Sequence, residues 1–245
     1  MHPNIQIIIE ADYEAMSRKG AQLFAEAMRA KPNSVFGLPT GSTPEGLYKE
    51  LVRMHKDEGL DFSAVTTFNL DEYYPIERES EQSYYHYMQK HLFGHVNAGE
   101  SRINIPNGKA EDASKEAAAY EEAIESAGGI DLQILGIGMN GHIGFNEPAD
   151  SFGADTRHVP LTEITIASNA RFFASADEVP RHAVTMGMRS IMTAKRIILM
   201  ASGEGKAGIL RDSFLGPVTP LVPASVLQLH PNVIVLADKD AAGLL

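Results

Sequence analysis

The chain has 245 residues, 44% of them hydrophobic and 22% charged, which suits one large folded α/β unit and excludes a peptide, a disulfide scaffold or a disordered chain. It contains no cysteine, which excludes disulfides, thiolate catalysis, cysteine-ligated zinc and iron–sulfur clusters. Its 21 Lys and Arg against 32 Asp and Glu give a net charge of −11, and with no basic stripe in the sequence nucleic acid is excluded as a partner.

Apolar runs of strand length alternate with stretches of helical period, which predicts a mostly parallel sheet covered by helices. Ile5–Ile9 reads as a first strand, and Asp12 as the cap of a helix reaching about Ala30. Ser34–Leu38 is the second strand, followed by a helix from Pro44 to about Lys56. Val65–Leu70 is the third, running directly into Asp71-Glu72-Tyr73-Tyr74-Pro75. Helices are expected from Ser80 to about Phe93 and from Glu111 to Ala127, and Ile130–Ile137 reads as a buried strand that breaks into glycines. Arg157–Leu161 reads as a short strand and Glu163–Phe173 as a short helix or loop. Arg196–Ala201 and Val233–Ala237 complete the strands, with helices near Glu204–Leu215 and at the C-terminus. No repeat or linker divides the chain, so residues 1–245 are expected to form a single domain. The opening Met1-His2-Pro3-Asn4 has no charged start or apolar core of a secretory leader, and no apolar run nears the roughly 20 residues of a membrane span. The expectation is a cytoplasmic protein without a membrane partner.

Three loops fall just after the C-terminal ends of strands, where open α/β sheets keep their chemistry. The first is Gly37-Leu38-Pro39-Thr40-Gly41-Ser42-Thr43-Pro44. Gly41 lets the backbone approach an anion, Ser42 and Thr43 add hydroxyl donors, and a helix follows with its positive end. No Lys follows the second glycine, so this is not a Walker loop; the alternative is a plain capped turn. In the second loop Asp71 and Glu72 end a buried strand, where one acid is either a tuned base suited to a carbon-bound proton or a helix cap with a solvated neighbour.

The third loop is Gly136-Ile137-Gly138-Met139-Asn140-Gly141-His142-Ile143-Gly144-Phe145-Asn146-Glu147-Pro148. Gly136, Gly138 and Gly141 match the dinucleotide pattern G-x-G-x-x-G, but Gly144 and Pro148 follow too soon for the helix such a site needs. The glycines instead bring backbone close to a small ligand, with His142 as an acid–base group and Glu147 as its orienting partner. Arg171 and Lys206 are candidate phosphate clamps in an otherwise acidic chain. His86, His91 and His95 lack the Glu of a zinc-protease motif and read as a surface face. The ten methionines read as core fillers.

On these motifs, together with Ser83-Tyr84-Tyr85, Asn169 to Phe173 and Leu227 to Pro231, nearly the whole chain resembles the glucosamine-6-phosphate deaminase (isomerase) family. The resemblance implies a Rossmann-like α/β fold with helices on both faces of the sheet. It implies conversion of glucosamine 6-phosphate to fructose 6-phosphate and ammonia without metal, nicotinamide or pyridoxal cofactor. Asp71 resembles the base that moves a proton between C2 and C1, His142 the group that assists ring opening, and Glu147 its orienting carboxylate. Ser42, Thr43, Arg171 and Lys206 resemble phosphate-holding positions, with Arg171 on a segment that acts as a lid. Asn140 stands where the family often has Asp; it still forms hydrogen bonds but supplies no second negative charge to the His–Glu pair. Regulated members are hexamers activated by N-acetylglucosamine 6-phosphate. Here Arg157 is present, but Val159 stands where those forms place a Lys, so a monomer or small homo-oligomer with hyperbolic kinetics is expected. Galactosamine 6-phosphate deamination, 6-phosphogluconolactone hydrolysis and a non-catalytic sugar-phosphate sensor are the alternatives; the first stays open because one epimeric hydroxyl is not legible in sequence.

Overall fold

The computed structural model describes residues 4–173 and 175–245; Met1–Pro3, on which the reading of the N-terminus rests, and Ala174 lie outside the described residues. After strand β1 (Ile5–Glu10), Asp12 caps helix α1 (Tyr13–Ala30) by accepting the Ala15 amide at 2.7 Å. Strand β2 (Val35–Leu38) and helix α2 (Glu45–Glu58) follow, the helix closed by Gly59 in the left-handed region. Strand β3 (Thr66–Asn69) gives way at Leu70 to β4 (Asp71–Tyr74), and α3 (Tyr84–His91) starts at a Ser83 cap. Next come β5 (Ile103–Asn104), α4 (Ala113–Ser126), β6 (Leu132–Leu135), β7 (Arg157–Pro160) and α5 (Glu163–Asn169). The chain continues through β8 (His182–Thr185), α6 (Met188–Met192), β9 (Ile197–Ala201), α7 (Ala207–Phe214) and β10 (Val233–Asp238).

Seven strands form a parallel sheet in the order β1-β10-β9-β6-β2-β3-β5. Its central strands are apolar on both sides because both sides are covered. On β9, Ile197, Leu199 and Ala201 pack with Tyr120 and Ile124 of α4 and Leu210 and Phe214 of α7. The alternate residues Ile198 and Met200 pack with Phe24 and Met28 of α1 and Leu47 and Leu51 of α2. The pleat therefore places helices on both faces, a Rossmann-like α/β architecture. From β2 the sheet grows one way through β3 and β5, and from β6 the other way through β9 and β10. The loops after β2 and β6 thus border the crevice where the direction reverses.

Three readings of the sequence need correction. The expected loop at Asp71 is strand β4, which leaves the main sheet and pairs antiparallel with β8, itself paired antiparallel with β7. Strand β8 was not anticipated, because His-Ala-Val-Thr is short and carries neither an apolar run nor alternation. At the C-terminus there is no helix: turns follow Asp238, whose carboxylate accepts the Ala241 amide at 2.8 Å. Seven residues ending in Gly-Leu-Leu leave no room for a packed amphipathic face. The helix expected from Ser80 begins only at Tyr84, where Ser83 accepts the His86 amide at 3.0 Å.

Candidate active site

The three loops meet at the C-terminal edge of the sheet around a cavity of about 1080 Å³. Gly41, Ser42, Thr43, Asp71, Asn140, His142, Arg171 and Lys206 all line it. Glu147 does not; it stands behind His142.

At one end the β2–α2 loop is held by two tyrosines. Tyr13 donates its hydroxyl to the carbonyls of Ser42 at 3.0 Å and Thr43 at 3.2 Å, and Tyr87 donates to that of Gly41 at 2.6 Å. Gly41 has a φ of 98°, a conformation that side-chain-bearing residues rarely adopt. Lys206, at the end of the turn before α7, donates to the Ile137 carbonyl at 2.7 Å. Burial lowers the Lys206 ammonium, and the nearby Arg171 guanidinium lowers it further. Two cations and a loop leading into a helix N-terminus thus share this end, an arrangement suited to a phosphate.

Asp71 lies deeper, 6% exposed. Burial pushes its carboxyl up to about 8, aided by the charge of Glu72 and opposed by the Phe145 amide. Burial also raises Glu72, to about 7, against the pull of amide donors. Those donors show what Glu72 does: it accepts the amides of Tyr73 at 2.9 Å, Tyr84 at 2.9 Å and Tyr85 at 3.1 Å. The sequence left open which of the two acids is the cap; strand alternation assigns it to Glu72, at the start of α3, and turns Asp71 into the cavity.

In the third loop Nδ1 of His142 lies 3.3 Å from Oε2 of Glu147, an ion-pair distance at which no hydrogen bond is completed. Asn140 donates its amide to the same Oε2 at 2.6 Å. Thr165 of α5 donates its hydroxyl to the other oxygen, Oε1. Burial favours the protonated Glu147 carboxyl, but the His142 imidazole, the Thr165 hydroxyl and the Asn140 amide outweigh it and hold the group down at about 2. A Cβ on Gly138 would fall 2.4 Å from Cε1 of His142, so only glycine lets the imidazole fold against this loop. No helix begins at Gly136, Gly138 or Gly141, and the dinucleotide pattern therefore lacks the helix N-terminus on which such a site depends.

Several cavity residues were not found from sequence. Tyr73, Tyr84 and Phe145 make an aromatic wall, with Tyr73 4.8 Å from Tyr84 and 6.0 Å from Phe145 between ring centroids. Strand alternation after Asp71 was the available signal for Tyr73. His86 and His91, expected on a surface face, instead line the cavity with Lys90. That assignment fails because α3 turns this face toward the β2–α2 loop, which helical spacing alone does not reveal. Among the described residues no group of three His, Asp or Glu is arranged to hold a metal ion, and no helix is long and apolar enough to cross a membrane.

A family model described as glucosamine-6-phosphate isomerases/6-phosphogluconolactonase matches residues 10–235. The glucosamine-6-phosphate deaminase of Clostridium botulinum (strain Loch Maree / Type A3) is 53% identical over 241 residues, covering 98% of this chain and 99% of the relative. That of Alkaliphilus oremlandii (strain OhILAs) is 54% identical over 239 residues, with 98% and 99% coverage. A solved monomeric glucosamine-6-phosphate deaminase superposes with a TM-score of 0.96 at 44% identity, covering 98% of this chain and all of that one. The 6-phosphogluconolactonase from Trypanosoma cruzi shares the fold, with a TM-score of 0.77 at 21% identity over 100% of this chain and 98% of that one.

Proposed function

Because this chain belongs to the family of glucosamine-6-phosphate isomerases and 6-phosphogluconolactonases, we propose that it converts glucosamine 6-phosphate and water to fructose 6-phosphate and ammonia. The observation that carries this reading is the buried Asp71 carboxyl, which faces the same cavity as His142. Lactone hydrolysis has no carbon acid to deprotonate, whereas an aldose–ketose shift does.

In this reading the phosphate lies against Gly41, Ser42 and Thr43, with Lys206 and Arg171 supplying the balancing charge. His142, oriented by Glu147, moves the proton from the anomeric hydroxyl to the ring oxygen and opens the ring. Asp71 takes the C2 proton, giving an enolamine, and returns a proton to C1. The product is the imine of the 2-ketose; water adds to C2, and ammonia leaves. Asp71 is therefore needed as the carboxylate. The substrate's ammonium, entering beside a carboxyl that burial holds at about 8, favours the ionised form on binding. Asn140 acts through Glu147 as a hydrogen-bond donor. The chain works as a monomer or small homo-oligomer, a reading supported by its likeness to the monomeric deaminase.

Ammonia release from glucosamine 6-phosphate, without added metal, tests the proposal. Native protein is expected to turn over, and Asp71→Asn to lose roughly 10²- to 10⁴-fold in kcat, the usual worth of a general base, while keeping its fold by circular dichroism. Release from galactosamine 6-phosphate alone would reassign the epimer, and silence on both substrates would overturn the deaminase reading.

A further inference from the structure

Helix α5 touches the site at two points four residues apart, the spacing that puts side chains on one helical face. Thr165, 2% exposed, donates its hydroxyl to Oε1 of Glu147. Asn169 donates its amide to the Tyr73 hydroxyl at 2.8 Å, and Tyr73 shares the face of β4 that carries Asp71. Arg171 follows two residues later and lines the phosphate end of the cavity. The start of this helix is fixed by the Thr162 hydroxyl, which accepts the Thr165 amide at 3.2 Å and donates to the Thr165 hydroxyl at 3.1 Å.

We propose that Thr165 is a positioning residue that couples α5 to the His142–Glu147 pair, so that His142 is aligned for proton transfer only while α5 is docked. The donor set explains why. Oε2 of Glu147 already faces both Asn140 and His142, so Oε1 needs a donor of its own, and Thr165 provides it from a different element. Docked, α5 fixes the carboxylate that orients the imidazole. Undocked, Oε1 loses that donor and Glu147 is free to rotate away from Nδ1. Substrate phosphate drawing Arg171 inward would then set the acid–base group in the same motion that covers the sugar. The inference rests, for its chemistry, on the deaminase reading.

The charged groups around Glu147 leave a clean test. His142 faces it from its own loop, Asp71 lies beyond Gly144, and the acid on α5, Glu163, points outward toward Arg181 at 3.7 Å with its side chain 90% exposed. Thr165→Val removes the hydroxyl at nearly constant shape, and Thr165→Ser restores it. In Thr165→Val, kcat is expected to fall roughly ten- to a hundredfold, the worth of one hydrogen bond to a charged group, with KM nearly unchanged. In the same variant the ¹³C NMR titration of the Glu147 carboxyl should move to higher pH. Thr165→Ser should restore all of these. An unmoved carboxyl in Thr165→Val, or a Thr165→Ser as impaired as Thr165→Val, would overturn the coupling. The NMR titration needs no substrate, so it reads the latch even if ammonia release, and with it the deaminase reading, fails.

Discussion

Asp71 and Glu72 are adjacent on β4 yet serve opposite sides of it: Asp71 faces the cavity it shares with His142, while Glu72 closes the amide end of α3 and lines a separate cavity behind it. The helix that carries Tyr84, Tyr87 and His91 into the active site is therefore anchored by the neighbour of the proposed base. The charge of Glu72 raises the cost of charging Asp71, and the strand pleat keeps their partners apart.

Glu72→Gln should expose this division of labour. Glutamine offers one carbonyl oxygen, so either the Tyr73 and Tyr84 amides or the Tyr85 amide would meet an NH₂ group instead of an acceptor. The expected loss is about 1–3 kcal/mol of unfolding free energy, measured by urea denaturation at pH 8. Because the charge of Glu72 helps hold Asp71 up, the Asp71 carboxyl should titrate lower in this variant. A stable variant with an unmoved Asp71 would contradict both roles.

The buried acids also give stability a definite slope with pH. A carboxyl raised in the folded state, as Asp71 is to about 8, stays protonated where the unfolded chain has released its proton. Its stabilising effect is complete below the unfolded value near 4 and is lost as pH rises toward 8. Glu147, held at about 2, has the opposite sign, with stability present above the ordinary glutamate range and lost as pH falls toward 2. Thermal unfolding of ligand-free protein should show a drop in Tm between pH 5 and pH 8 that is smaller in Asp71→Asn. Equal slopes for the two proteins would refute the raised carboxyl.

Lys206 is held toward the cavity by its bond to the Ile137 carbonyl, so its charge is placed before any ligand arrives. Lys206→Ala should raise KM for the sugar phosphate roughly ten- to a hundredfold, the worth of a charge-assisted hydrogen bond. Inorganic phosphate should weaken as a competitive inhibitor in parallel. An inhibition constant for phosphate equal to that of the native chain would show that the ammonium does not meet the phosphate.

Arg157, the cation that the family resemblance singles out for regulated members, is turned into the fold. Its guanidinium donates to Oδ1 of the buried Asn146 at 2.8 Å, and Asn146 in turn donates to the carbonyls of Ile143 and Met186, both at 2.9 Å. With Arg157 committed to the loop that carries Glu147 and Val159 in place of a second cation, initial rates should follow a hyperbola. N-acetylglucosamine 6-phosphate should leave them unchanged. Sigmoidal rates that the acetylated sugar phosphate makes hyperbolic would overturn this expectation.

The sequence by itself determined the parallel sheet, because apolar strands such as Ile197–Ala201 and Val233–Asp238 show no alternation and so must be covered on both faces. It also determined where chemistry would gather, since Gly41, Asp71 and His142 each follow a strand end, and that rule depends on local order along the chain. Apart from the family resemblance, which pointed to Asp71 as the base, it could not distribute roles between Asp71 and Glu72, because the answer depends on which face of β4 meets α3, a contact formed across an intervening loop. Nor could it find strand β8, whose four residues make sense only beside β4 and β7, or Thr165, whose hydroxyl finds Glu147 eighteen positions away. Periodicity records which side of an element is apolar. Which polar group ends against which is settled only when separate elements pack and each buried donor must find its acceptor.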